Sequence, residues 1–211
     1  MPALCTFSHA SVSISLWLMH ESTDEAISMC KMQGLNTAAI EKLSQKIAKE
    51  RACTLLALRE LETESNNSLE ISHNADGAPI LNDNSLGISI SHSRDIAAVA
   101  IRPLSAAATG NDGFGIDIEQ INERVGHLSP RFLSDAELGC IAESDNIAFT
   151  KAWTAKEAVF KAHGKEAVDF AKSIRLSPDF NTAAVNASIY ELKFWHLEEQ
   201  NEILCLAIKR E

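Results

Sequence analysis

Cysteine is sparse in this chain and shows no pattern. The five residues, Cys5, Cys30, Cys53, Cys140 and Cys205, are odd in number, widely scattered and form no C-x-x-C pair. Neither a disulfide framework nor a zinc site fits that spacing, so reduced thiols in a cytoplasmic protein are expected. Positive charge is also short: 19 Lys and Arg stand against 29 Asp and Glu, a net charge of −10. A general nucleic-acid binder or a polybasic membrane-surface protein needs a dominant positive field, and both are excluded as expectations. No apolar run approaches the roughly 18–20 residues that span a bilayer. The first basic side chain is Lys31, whereas a secretory leader places positive charge ahead of its apolar run, so secretion is not expected. Walker A, G-x-G-x-x-G and G-x-S-x-G stretches are all lacking, and with the last goes the indication of a serine hydrolase.

What remains is an ordinary globular mixture, 45% hydrophobic and 23% charged across 211 residues, enough for one large domain or two small ones. Val12 to Met19 alternates apolar and polar residues and reads as a strand with one buried face. Thr23-Asp24-Glu25 resembles a helix start and Gly34 a stop. Apolar residues recur at helical spacing from Ala38 to Leu61. Ser65-Asn66-Asn67 and Asn74 to Gly77 carry turn chemistry, and short strands follow at Leu86–Ser91 and Ile96–Arg102. Pro103–Gly113 is the expected linker, dividing the chain into an N-terminal half, 1–108, and a C-terminal half, 109–211. The second half opens with a strand, Phe114–Glu119, then a helix around Ser134–Ala142 and a stronger one from Ala148 to His163. Two β-like stretches, Ala184–Trp195 and Ile203–Lys209, close it. The fold class is α+β, with helices packed on mainly antiparallel sheet in each half.

Three segments carry chemistry. In Gly115-Ile116-Asp117-Ile118-Glu119, a strand sets Asp117 and Glu119 on one face and Ile116 and Ile118 toward the core. Two carboxylates with no nearby Lys or Arg repel, a cost that a divalent cation between them would relieve; a solvated strand face is the plainer account. In Trp153-Thr154-Ala155-Lys156-Glu157-Ala158-Val159-Phe160-Lys161, the i, i+4, i+8 spacing puts Trp153, Glu157 and Lys161 on one helical stripe. A surface Glu–Lys pair explains part of it, but a Trp on the stripe suggests a face that turns inward or lines a cleft. There, Glu157 would be a third metal ligand beside a phosphate-binding Lys161. The third segment, Ser91-His92-Ser93, clusters hydrogen-bonding groups at a strand end, where an isolated His is often structural.

Taken in order, S-H-S, G-I-D-I-E and W-T-A-K-E-A-V-F-K make the chain resemble the 4′-phosphopantetheinyl transferases, in their longer, surfactin-synthetase-activating form. Arg131-Phe132-Leu133-Ser134 followed by Glu137 also looks like a family stretch, so the resemblance runs from about Gly77 to Phe170. It implies a pseudo-symmetric monomer of two α+β halves with coenzyme A in the cleft between them. The implied reaction moves the 4′-phosphopantetheine arm of coenzyme A onto a serine of an apo acyl or peptidyl carrier protein, releasing adenosine 3′,5′-bisphosphate. Carried over by position, Asp117, Glu119 and Glu157 would hold Mg²⁺, or Mn²⁺ in its place. Glu157 and Lys161 would be catalytic. His92, Ser91, Lys156, Lys161 and Arg51 would bind coenzyme A, with Lys156 supporting the phosphate pocket.

Two departures stand out. Gly77-Ala78-Pro79 lacks the lysine the family carries there, and only Lys46, Lys49, Arg51 and Arg59 loosely match its basic N-terminal helix. The acidic balance also opposes an acidic carrier, so docking is expected to use a hydrophobic patch including Phe132 and Leu133, with Arg131 as a local cation. A Mg²⁺-dependent phosphohydrolase and a catalytically idle protein binding coenzyme A or a carrier are the alternative readings.

Overall fold

The computed structural model describes residues 4–62, 68–104, 113–164 and 169–210. By its contacts the chain divides into two compact units, Met1–Ala106 and Ala107–Glu211. The expected 108/109 boundary and most of the expected linker lie outside the described residues, as does the Ser65–Asn67 turn.

The first unit is built on four antiparallel strands: β1 (Cys5–His9), β2 (Val12–Leu18), β5 (Leu86–His92) and β6 (Ile96–Pro103), in the order β1-β2-β6-β5. Ala10 and Ser11, both at positive φ, turn β1 into β2. Strand β1 is not among the expected elements; it alternates half-buried Cys5, Phe7 and His9 with exposed Thr6 and Ser8 over only five residues. Helices α1 (Thr23–Met32) and α2 (Gln45–Arg59) accompany the sheet. Ser22 caps α1 in a reciprocal pair with Glu25, whose carboxylate returns to the Ser22 backbone N–H at 2.8 Å. The continuous helix expected over 38–61 is broken, because Leu43 and Ser44 are extended between a 3₁₀ turn at Ile40–Lys42 and α2. A small hairpin, β3 (Ile71–His73) with β4 (Pro79–Leu81), closes over the Asn74–Gly77 turn. There Asn74 Oδ1 accepts the Asp76 and Ala78 backbone N–H groups. Trp17, Ala52, Cys53, Leu56, Ile88 and Val99 share one core.

The second unit has five antiparallel strands: β7 (Phe114–Gln120), β8 (Ile174–Leu176), β9 (Thr182–Val185), β10 (Ser188–Leu197) and β11 (Glu202–Lys209), in the order β7-β11-β10-β9-β8. The stretch expected as one strand over 184–195 is a hairpin, turned at Asn186 (φ 52°). Short helices α3 (Glu123–Leu128) and α4 (Asp135–Leu138) precede α5 (Asn146–His163). Helix α4 ends well before Ala142, its first turn fixed by a Ser134–Glu137 capping box. Asp145 caps the start of α5 and Gly164, at φ 95°, ends it. Ala152, Ala155 and Ala158 of α5, all fully buried, pack with Val159, Tyr190, Cys205 and Ala207. Small side chains let the helix lie close to β7 and β11. Both units are helix on antiparallel sheet, and the fold is α+β.

Candidate functional site

Helix α5 and strand β7 meet with almost no space between them at Gly115. A Cβ there would collide with the Ala158 carbonyl oxygen and lie 2.7 Å from the Ala162 nitrogen and 2.9 Å from Lys161 Cβ. Only glycine allows this approach, and alternation then directs Asp117 and Glu119 toward the same helix. Lys161 of α5 donates to Asp117 Oδ1 at 2.8 Å and to the Ile116 carbonyl at 3.0 Å. Two helical turns and more toward the α5 N-terminus, the Trp153 indole N–H donates to Glu119 Oε1 at 2.9 Å. Glu157 lies between these two anchor points on the stripe.

Two expectations are corrected here. A cation does stand beside the strand carboxylates, delivered by a helix 44 residues away in sequence. Ile116 and Ile118 are buried as expected, but Asp117 is buried too, at 4% exposure, because its face of β7 is the one α5 covers.

The carboxylates share one electrostatic field. Burial, and then the charge of Asp117, push the half-buried Glu157 carboxyl up to about 7, against the pull of Lys161 and with a further push from Glu119. Glu119 is raised chiefly by burial and next by Asp117, opposed by the Trp153 hydrogen bond and by Lys161. Burial, with Asp117 adding, also raises the thiol of Cys205, the cross-strand neighbour of Asp117. Among the described residues, no three His, Cys, Asp or Glu side chains are already gathered as a metal cluster. Asp117 and Glu119 are instead each tied to a donor on α5. The donor set is all hard oxygen and carries negative charge in excess of Lys161, which fits a divalent cation such as Mg²⁺ or Mn²⁺.

Lys156 departs from its expected place at a phosphate pocket. It is fully buried, and its ammonium donates to Glu137 Oε2 at 2.9 Å and to the carbonyls of Phe170 and Ile174 at 2.8 and 2.7 Å. Three protons have three acceptors, and none is left for a ligand. Burial lowers its pKa while Glu137 opposes the shift. Glu137 in turn accepts from the Ser134 and Leu176 backbone N–H groups, both at 2.8 Å. The pair ties α4, α5 and the chain leading into β8 together.

The candidates of the first unit occupy one strand end and one helix. Ser91 is buried and His92 exposed at the end of β5, and Arg51 is exposed on α2. Ser93 Oγ accepts the Ile96 backbone N–H at 3.2 Å and shapes the turn into β6. Lys46 faces Glu50 at 3.8 Å, and Arg59 pairs with Glu62.

A cavity of about 710 Å³ opens in the second unit, lined by Val125, Leu128, Phe132, Trp153 and Phe170, with Arg124, Arg131, Asn122 and Asp169 as its polar members. Phe132 meets the Trp153 ring edge-on at 5.0 Å and Phe170 stacks on it at 5.7 Å. The surface patch expected at Phe132 and Leu133 is corrected: both are 3% exposed. Phe132 serves as cavity wall and Leu133 as core. Neither the cavity nor the role of Gly115 was read from the sequence, although a glycine inside a strand pattern signals close backbone approach.

Residues 113–208 match the family model described as the 4′-phosphopantetheinyl transferase superfamily. The match spans β7 to β11 and contains Asp117, Glu119, Glu157 and Lys161. It bears out the resemblance at superfamily level for the second unit, while Ser91 and His92 fall outside it. No curated protein matches the chain. Among the described residues no helix is long and apolar enough to cross a membrane.

Proposed function

We propose that this protein transfers the 4′-phosphopantetheine group of coenzyme A to a serine of an apo acyl or peptidyl carrier protein, as a holo-acyl-carrier-protein synthase. One observation carries the reading: within the segment that matches the transferase superfamily, β7 and α5 bring Asp117, Glu119 and Glu157 into one field with Lys161. The three carboxylates are the proposed ligands of Mg²⁺ or Mn²⁺. When bound, such an ion supplies charge stabilisation on the pyrophosphate oxygens.

In the reaction the carrier serine Oγ forms a bond to the β-phosphorus of coenzyme A. The bond from that phosphorus to the bridging oxygen breaks, and its electron pair leaves on adenosine 3′,5′-bisphosphate. Serine is a weak nucleophile, so its proton must be accepted. Glu157, whose carboxyl burial and the charge of Asp117 raise in the metal-free protein, is the proposed acceptor of that proton. Lys161 has two of its three protons on Asp117 and Ile116; the third is assigned to a phosphate oxygen, where a fixed cation offsets developing charge. Ser91, His92 and Arg51 are the coenzyme A contacts proposed from the first unit. Lys156 acts on the site only through the chain segment it anchors.

The test is labelling of an apo carrier by a tagged coenzyme A in the presence of Mg²⁺, followed by mass spectrometry. Wild-type protein is expected to add the phosphopantetheine mass, and Asp117→Ala or Glu157→Ala to add none while remaining folded. Activity retained in either variant overturns the site. Release of adenosine 3′,5′-bisphosphate without a carrier would favour a phosphohydrolase, and binding of coenzyme A without turnover an idle binding protein.

A further inference from the structure

Trp153 has two attachments that no other residue of the site combines. Its indole N–H donates to Glu119 Oε1 at 2.9 Å, and its ring is held by Phe132 edge-on at 5.0 Å and by Phe170 stacked at 5.7 Å. Glu119 lies near the end of β7, only half-buried, with Asp117 two residues back on the same strand face. A glutamate there has every reason to swing outward: its rotamer freedom, its hydration and the like charge of Asp117 all favour water. A rigid donor on α5 opposes that swing. The two aromatic neighbours fix the ring, so the direction of the N–H is fixed with it.

We propose that Trp153 is a positioning residue, whose indole N–H holds the Glu119 carboxylate turned toward α5 in the orientation from which it takes part in divalent-ion binding. The inference rests on the transferase reading of the site and extends it to a residue whose indole donates to one of the proposed ligands. Partners that orient a metal-binding carboxylate commonly matter about 10–100-fold in metal affinity or activity.

The experiment measures Mg²⁺ and Mn²⁺ affinity by titration calorimetry on the full chain without carrier, for wild type, Trp153→Phe, Glu119→Gln and the double variant. Trp153→Phe keeps an aromatic ring and removes the donor. It is expected to weaken ion binding about tenfold and to raise the Mg²⁺ concentration for half-maximal transfer, with the KM for coenzyme A unchanged. In the Glu119→Gln background the same change is expected to have little further effect, because the hydrogen bond it removes no longer orients a charge. Should Trp153→Phe fold poorly, replacement of the indole by its benzothiophene isostere removes the N–H alone and is read in the same way. Equal affinity in wild type and the donor-less variants overturns the proposal and leaves the transferase reading standing, as does an equal loss in both backgrounds, which marks a packing effect. A wild-type protein that binds no divalent ion overturns the transferase reading and this inference with it.

Discussion

Lys161 and Asp117 hold each other across the contact between α5 and β7, Nζ to Oδ1 at 2.8 Å, with side-chain exposures of 19% and 6%. The pair gives the acidic site a resident cation, and that cation competes with any ion the carboxylates bind. Lys161→Met is therefore expected to act in two opposite directions. Without metal, an uncompensated buried carboxylate should cost on the order of 3–5 kcal/mol in chemical denaturation. Mg²⁺ affinity should rise severalfold in calorimetry, because the competing charge is gone. Transfer should nonetheless fall by about 10²–10³, the usual effect of losing one electrostatic stabiliser. Unchanged Mg²⁺ affinity would show that Lys161 does not share the carboxylates' field.

Gly115 permits the whole arrangement, and its replacement should be felt at a distance. The obstacles to a Cβ include the Ala158 carbonyl and the Ala162 nitrogen, backbone atoms of a packed helix that cannot swing aside. Gly115→Ala is expected to destabilise by about 1–3 kcal/mol or more and to lower transfer by moving Asp117 and Glu119 away from α5. Gly139→Ala is the control: it sits in helical backbone with its nearest neighbour at 3.5 Å, and should leave the denaturation midpoint nearly unchanged.

What the sequence disclosed follows the range of each signal. Strands β2, β5, β6 and β7 and helix α5 declare themselves by period, and their ends lie within a few residues of expectation. The helix expected over 38–61 is interrupted, because the apolar spacing continues through Leu43 where the backbone is extended. At the site, residue types and spacing named the carboxylates, but their partners are contacts between distant stretches that spacing does not encode. Lys156 shows the difference at close range. It adjoins Glu157 in sequence, yet successive helical residues point about 100° apart, which is enough to turn Lys156 into the core while Glu157 stays beside β7.

That buried Lys156–Glu137 pair supports the fold and should respond accordingly. Lys156→Met leaves the Glu137 carboxylate inside the protein without its cation, an expected loss of about 3–5 kcal/mol. Lys156→Met with Glu137→Gln should recover part of it, since the stranded charge is removed. The KM for coenzyme A in the folded variants should match wild type. A raised KM with unaltered stability would return Lys156 to the ligand.

A chain of net charge −10 repels an acidic carrier on average, so encounter must depend on local cations. Arg124 and Arg131 are both exposed and both border the 710 Å³ cavity beside Trp153. Arg131→Glu is expected to lower kcat/KM for the carrier severalfold and to flatten its dependence on salt, with the KM for coenzyme A unchanged. A rate equal to wild type at low salt would remove Arg131 from the docking surface.

The Glu157 carboxyl sits at about 7 in the folded protein, against 4.5 for an ordinary glutamate. The folded state then binds this proton more firmly than the unfolded chain. The stability it contributes is fully present below pH 4.5 and is lost as the pH rises through about 7. Metal-free protein should accordingly lose Tm across that window, and Glu157→Gln, which cannot titrate, should show a flatter profile. Added Mg²⁺ should restore the wild-type Tm most at the alkaline end, where the ion no longer competes with a proton, and its binding at pH 6 should release protons into the buffer. Identical Tm profiles for wild type and Glu157→Gln would place this carboxyl outside the shared field of Asp117 and Glu119.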